Sequence, residues 1–282
     1  MPAPIRAARA HGAQGAESVP MLRLSGVSKT FYPGTVNERC ALRDVDLSLD
    51  EGDFVTIIGS NGAGKSTMLN VIAGTLPADA GRVEIEGRDV TKLAEHRRAA
   101  LTARVFQDPS AGTSPHLTIA QNLVIAEGRG HRRGLGRGLT EARRQRFYDV
   151  LKPVGLDLED RLTHRVGLLS GGQRQALSLI MAAFTRPKLL LLDEHTAALD
   201  PERAEVVLNL TERVVHESGL TALMVTHNME QALRLGNRLI MMHEGEIVVE
   251  LGPEQKKAAS VKDLLDMFGA AKGQLSDRTL LA

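Results

Sequence analysis

The chain has 282 residues, with 35 Lys and Arg against 34 Asp and Glu, for a formal net charge of +1. That balance gives no global argument for a nucleic-acid or acidic partner. The single cysteine, Cys40, excludes an internal disulfide and leaves no Cys cluster for zinc, and it suits a reducing cytoplasm.

Residues 1–20, MPAPIRAARAHGAQGAESVP, lack an apolar run of signal-peptide length and are rich in Ala, Gly and Pro, so they read as a disordered lead-in. The fold is expected to begin near Met21. In ALRDVDLSLD (41–50) the apolar residues Val45, Leu47 and Leu49 alternate with polar ones, the pattern of a half-exposed strand. FVTIIG (54–59) is β-branched and continuous, as a strand buried on both faces should be.

GSNGAGKST (59–67) follows, and from Gly59 to Ser66 it fits G-x-x-x-x-G-K-[ST]. Gly59, Gly62 and Gly64 allow positive φ, so that successive N–H groups of Gly59, Ser60, Asn61, Gly62, Ala63 and Gly64 can curl around an anion. Lys65 adds a point charge for β- and γ-phosphates, Ser66 offers a hard oxygen to Mg²⁺, and Thr67 completes the ATP-binding run; the helix over 65–74 aims its positive end at the phosphates. Gly74 and Pro77 close that helix. GRVEIEG (81–87) is a second alternating strand.

Helical signals then dominate from about 109 to 186, in TIAQNLVIAE (118–127), TEARRQRFYDVLKPV (140–154) and SGGQRQALSLIMAAF (170–184). Between the first two lies GRGHRRGLGRG (128–138), with four arginines among glycines; it reads as a solvated loop, with an anionic or docking contact as the sharper alternative. Ser170 stands at an N-cap, and Gly171 and Gly172 leave the first N–H groups of the helix unobstructed, making an anion-binding helix start.

Strands return in KLLLLD (188–193) and TALMVT (221–226), separated by a helix from Pro201 to about Ser218 that Asp200 can cap. The leucines deliver Asp193 to the C-terminal edge of a sheet, where ligands sit in open α/β folds. Asp193 is placed to hold Mg²⁺ through water, and Glu194 to polarise an attacking water. A zinc reading of Asp193, Glu194 and His195 is poor, because adjacent side chains seldom converge on one metal. RLIMMHEGEIVVE (238–250) predicts a hairpin turning at Glu244 and Gly245, and the tail after Gly252 holds one amphipathic piece, VKDLLDMF (261–268). No segment approaches the ~20 apolar residues of a membrane span, so the protein is expected to be soluble and to reach a membrane only through another chain.

The phosphate loop, LSGGQ (169–173), LLLLDE and a histidine after TALMVT, in that order, resemble an ABC-type ATPase, the motor subunit of an ABC transporter. The resemblance spans about residues 21–250. It implies a RecA-like P-loop NTPase core of α/β class, with an antiparallel β subdomain and an inserted α-helical subdomain. The cassette would occupy 21–252, with the helical part at about 109–186 and a tail over 253–282. It further implies ATP and Mg²⁺ as ligands and a head-to-tail homodimer, in which Ser170, Gly171, Gly172 and Gln173 serve the γ-phosphate of ATP held by the second subunit. Gln107 in VFQDP looks like the Q-loop glutamine that contacts Mg²⁺ and water. His227 looks like the switch histidine, and Asp200 like the aspartate at the dimer seam. The family's adenine-stacking aromatic would be Phe31 or Tyr32 in SKTFYPG; the family pattern favours Phe31, and neighbours in a strand face opposite ways, so one stacks.

Where the family commonly has proline after the catalytic glutamate, this chain has His195, which is usual in the group resembling tryptophan/tyrosine or related amino-acid uptake ATPases. The resemblance therefore points to a bacterial importer motor, peripheral on the inner face of the cell membrane through separate permease subunits, with a solute-binding protein and no nucleic acid. An exporter ATPase, or a non-transport ABC ATPase acting on nucleic acid or ribosomes, is the alternative; the single cassette without sustained heptads argues against the latter. No residue here would touch cargo, so the solute is not readable from the chain.

Overall fold

The computed structural model describes residues 19–129 and 138–280. The expected lead-in, apart from its last two residues, and most of the basic loop 128–138 lie outside the described residues.

The chain opens with two long antiparallel strands, β1 (Leu22–Phe31) and β2 (Arg39–Leu49). It continues through β3 (Phe54–Gly59) and α1 (Lys65–Ala73) to β4 (Ala80–Ile85) and β5 (Arg88–Asp89). β2, β1, β4 and β5 form an antiparallel sheet in that order. The alternation in β2 is realised: Val45, Leu47 and Leu49 are buried and their neighbours exposed.

After α2 (Glu95–Arg98) and β6 (Thr102–Val105) come the helices of the insert: α3 (Ile119–Glu127), α4 (Glu141–Leu151) and α5 (Gly171–Ala183). The core resumes with β7 (Leu189–Asp193), α6 (Pro201–Ser218), β8 (Thr221–Val225), α7 (Met229–Arg234), β9 (Arg238–His243) and β10 (Glu246–Leu251). The second sheet has the order β10-β9-β3-β8-β7-β6, parallel except for the edge strand β10.

β7 shows why its four leucines run together. Leu190 and Leu192 pack with Val105, Phe147 and Leu177 on the helical side, while Leu189 and Leu191 pack with Leu69, Ile72 and Ile57 on the side of α1. A strand covered on both faces has no polar alternation to keep.

α8 (Pro253–Ala258) and α9 (Val261–Leu280) lie on the β9–β10 side, where Leu264 is buried with Ile58, Leu239 and Met241. α9 runs twelve residues beyond the amphipathic piece read from sequence. Lys256 of α8 is buried, and its Nζ donates to Leu235 O, to Arg238 O at 3.1 Å and to Thr56 Oγ1 at 3.2 Å. The tail is thereby tied to the core sheet. Among the described residues no helix is long and apolar enough to cross a membrane.

Candidate active site

β3, β8 and β7 are adjacent and parallel, so their C-terminal ends meet at one edge of the sheet. The residues after these three strands build the site.

After β3, Gly59, Gly62 and Gly64 take φ of 152°, 82° and 100°. At Gly59 a Cβ would stand 2.2 Å from Met242 O, and at Gly64 2.4 Å from Ala41 O. Both the dihedral and the neighbour therefore demand glycine. The buried Lys65 Nζ donates to Gly59 O at 2.8 Å and Ser60 O at 3.2 Å. Burial lowers the pKa of this ammonium, and the charges of Glu194 and Asp193 oppose that shift.

Asp193 closes β7. Its Oδ1 accepts from Ser66 Oγ at 3.1 Å, while Oδ2 is paired with Arg104 Nη2 at 2.5 Å. Arg104 also donates through Nη1 to Asn70 Oδ1 at 2.5 Å, so one guanidinium joins β6, α1 and β7. Glu194 follows in a left-handed conformation with φ 44°, its N–H bound to Val225 O at 3.1 Å. Its Oε2 lies 3.6 Å from His227 Nδ1, at the end of the neighbouring strand.

A cavity of about 260 Å³ is lined by Phe31, Arg39, Ala41, residues 61–67 and Glu194. Of the aromatic pair only Phe31 lines it. Tyr32, at φ 52° and 69% exposed, turns away. Arg39 was not legible as a site residue, because an arginine at a strand start reads as a solvated charge. It is cross-strand partner to Phe31, and its Nη2 donates to Gly62 O at 3.0 Å.

None of Gln107, Ser170, Gly171, Gly172, Gln173 and Asp200 lines this cavity. Gln107 is exposed two residues past β6. Ser170 and Gln173 form a capping box at the start of α5, with bonds of 3.3 and 3.1 Å. Gly171 and Gly172 pack on Leu199 and Arg203, and Asp200 caps α6 through Arg203 N at 3.1 Å. The LSGGQ turn and the aspartate turn thus share one patch, apart from the phosphate loop.

His195 does not enter the site. It is 1% exposed, with Nε2 2.9 Å from Thr211 Oγ1 on α6, and burial lowers its pKa to about 4, keeping the imidazole neutral. Among the described residues no group of three or more His, Cys, Asp or Glu side chains could hold a metal. Ser66 and Asp193 nevertheless fit Mg²⁺, which binds one or two protein oxygens and takes the rest of its shell from water and phosphate.

A glycine phosphate loop, a buried lysine and a carboxylate strand at one sheet edge define a P-loop nucleoside-triphosphate hydrolase. The sequence profile of the ABC transporter family matches residues 42–197, and the chain belongs to that family. It is 42% identical over 88% of its length to a tyrosine transport ATP-binding protein of Clostridioides difficile (strain R20291), covering 98% of that protein. It is also 38% identical over 83% of its length to the lipoprotein-releasing system ATP-binding protein LolD of Ruegeria pomeroyi (strain ATCC 700808 / DSM 15171 / DSS-3), covering 99% of it. Among solved structures it resembles the dimeric post-hydrolysis state of an ATP-binding cassette bound to ADP and Pi. There the TM-score is 0.71 and the identity 32%, over 82% of this chain and 98% of that one. The chain is an ATP-binding, ATP-hydrolysing transporter subunit.

Proposed function

We propose that this chain drives a bacterial uptake transporter for an amino acid or a related small solute. It works as a head-to-tail homodimer docked on separate permease subunits at the cytoplasmic face of the membrane, with a solute-binding protein delivering the solute. What supports the two-half-site mechanism is where the residues lie. The phosphate loop, Asp193, Glu194 and His227 converge, while the start of α5, with Ser170, Gly171, Gly172 and Gln173, lies against Leu199 and Arg203 near Asp200 instead. A second copy, turned head to tail, brings that patch to the phosphates.

In this reading Phe31 stacks on adenine, and Lys65 with the loop N–H groups binds the phosphates. Ser66, Asp193 and Gln107 would hold Mg²⁺, which would supply neutralisation of the phosphate charge. Glu194 orients and deprotonates the attacking water, and His227, close to its carboxylate, contacts the γ-phosphate. The partner's capping box adds the N–H groups of a helix start. Hydrolysis lets the dimer open and the permease return.

Support for an amino acid as the solute is the 42% identity to the tyrosine transport protein over nearly all of both chains. The lipoprotein-releasing relative, at 38%, favours a second reading in which ATP drives extraction rather than uptake. Reconstitution with the permease and a screen of amino acids for ATPase stimulation separates them, since only the uptake reading predicts a stimulating amino acid. For the mechanism, Glu194→Gln should bind ATP normally and lose ~10²–10⁴ in turnover in a steady-state phosphate-release assay. Near-normal hydrolysis removes Glu194 from the chemistry.

A further inference from the structure

His195 is buried beside Glu194, and the site does not use it. Its partner Thr211 sits on α6 and is fully buried. Thr211 Oγ1 lies 2.8 Å from Val207 O, to which it gives its only proton, so towards His195 it accepts. His195 therefore donates through Nε2–H, and its tautomer is set. Nδ1 is then a bare acceptor, buried and without a partner. A residue kept only for packing would avoid that cost.

The surroundings suggest what the bond is for. Glu194 holds a left-handed φ of 44°, a conformation that a residue with a side chain keeps only when its neighbours enforce it. Its own N–H is fixed to β8. On the other side the chain runs through the turn at 196–199 to Asp200, which caps α6. The His195–Thr211 bond is a buried side-chain tie between this turn and the middle of α6.

We propose that His195 is a positioning residue for ATP hydrolysis, holding the Glu194 backbone against α6 through Thr211 so that the Glu194 carboxylate stays beside His227. The proposal rests on Glu194 being the hydrolytic carboxylate. α6 begins at the patch shared with the LSGGQ turn, so the same bond ties the catalytic carboxylate to the surface that meets the second subunit.

The test is steady-state ATP hydrolysis by the full chain as His195→Leu, His195→Gln, Thr211→Val and the His195→Leu/Thr211→Val pair, with Glu194→Gln alongside. Small misplacements of a reacting group cost up to about a hundredfold. His195→Leu and Thr211→Val should each lower kcat by about ten- to a hundredfold while KM for ATP stays within about twofold. The pair should be no worse than the poorer single variant, because both remove one bond. His195→Gln, which can still offer an N–H to Thr211, should recover most of kcat. If His195→Leu fails to fold, the near-isosteric Thr211→Val decides alone. Unchanged kcat in the soluble variants, or a raised KM at unchanged kcat, overturns the proposal if Glu194→Gln is inactive. An active Glu194→Gln instead overturns the reading of Glu194 on which it rests.

Discussion

Gly64 shows how narrowly single residues are constrained at this site. It combines φ 100° with a backbone oxygen 2.4 Å from where a Cβ would stand. Gly64→Ala should cost about 1–3 kcal/mol in backbone strain. It should also weaken ATP binding by at least about tenfold, because the N–H groups that line the loop lose their common direction. Urea unfolding and titration with a fluorescent ATP analogue check the two parts. Arg104 is constrained differently. Its ion pair with Asp193 is largely buried, with side chains 13% and 12% exposed. Removing one partner of a buried pair costs about 3–5 kcal/mol because the other charge is left uncompensated. Arg104→Met should therefore lower the denaturation free energy by about that amount, read from urea midpoints at unchanged slope.

Lys256 gives the pH dependence. Burial lowers its pKa from 10.5 to about 8 in the folded protein. Between those values the unfolded chain keeps a proton that the folded chain has released. Stability from this group therefore rises as pH rises from about 8 towards 10.5, and below 8 the fold carries the full cost of the buried charge. The denaturation midpoint of the wild type, relative to Lys256→Met, should move in the wild type's favour over that window. A constant difference would show that the proton is held equally in both states.

At the scale of elements, legibility followed how local the cause was. The phosphate loop, the helix from Pro201 to Ser218 and the 238–250 hairpin were readable because glycine, proline and capping residues act within a few positions. The α9 helix was readable only to Phe268, since GAAKGQLSDRTL beyond it has glycines and no strong apolar face. Period-2 reasoning left room for only one of Phe31 and Tyr32 to stack, and the family pattern favoured Phe31; Phe31 lines the cavity and Tyr32 does not. Arg39 and the His195–Thr211 bond could not be read. Arg39 reaches Gly62 from 23 positions away, and His195 meets a residue 16 positions on, in another element. No local pattern encodes either meeting. The sequence did mark His195 as a departure from the family's usual proline, without indicating what it touches.

For the molecule as a whole, the decisive surface is the patch where the LSGGQ turn lies against the start of α6. Within one chain it is separate from the phosphate cavity, so hydrolysis should require two chains. With a net charge of +1, overall charge repulsion between two copies is small, and in this account the nucleotide bridges the two anion-binding loops. The most direct measurement is the solution mass, by light scattering, of Glu194→Gln in ATP and Mg²⁺, with and without Ser170→Arg added to the same chain. We expect Glu194→Gln to run at twice the mass of one chain, and the doubly substituted chain to run as a monomer that still binds one ATP. A doubly substituted chain that dimerises in ATP as readily as Glu194→Gln alone would contradict the composite site.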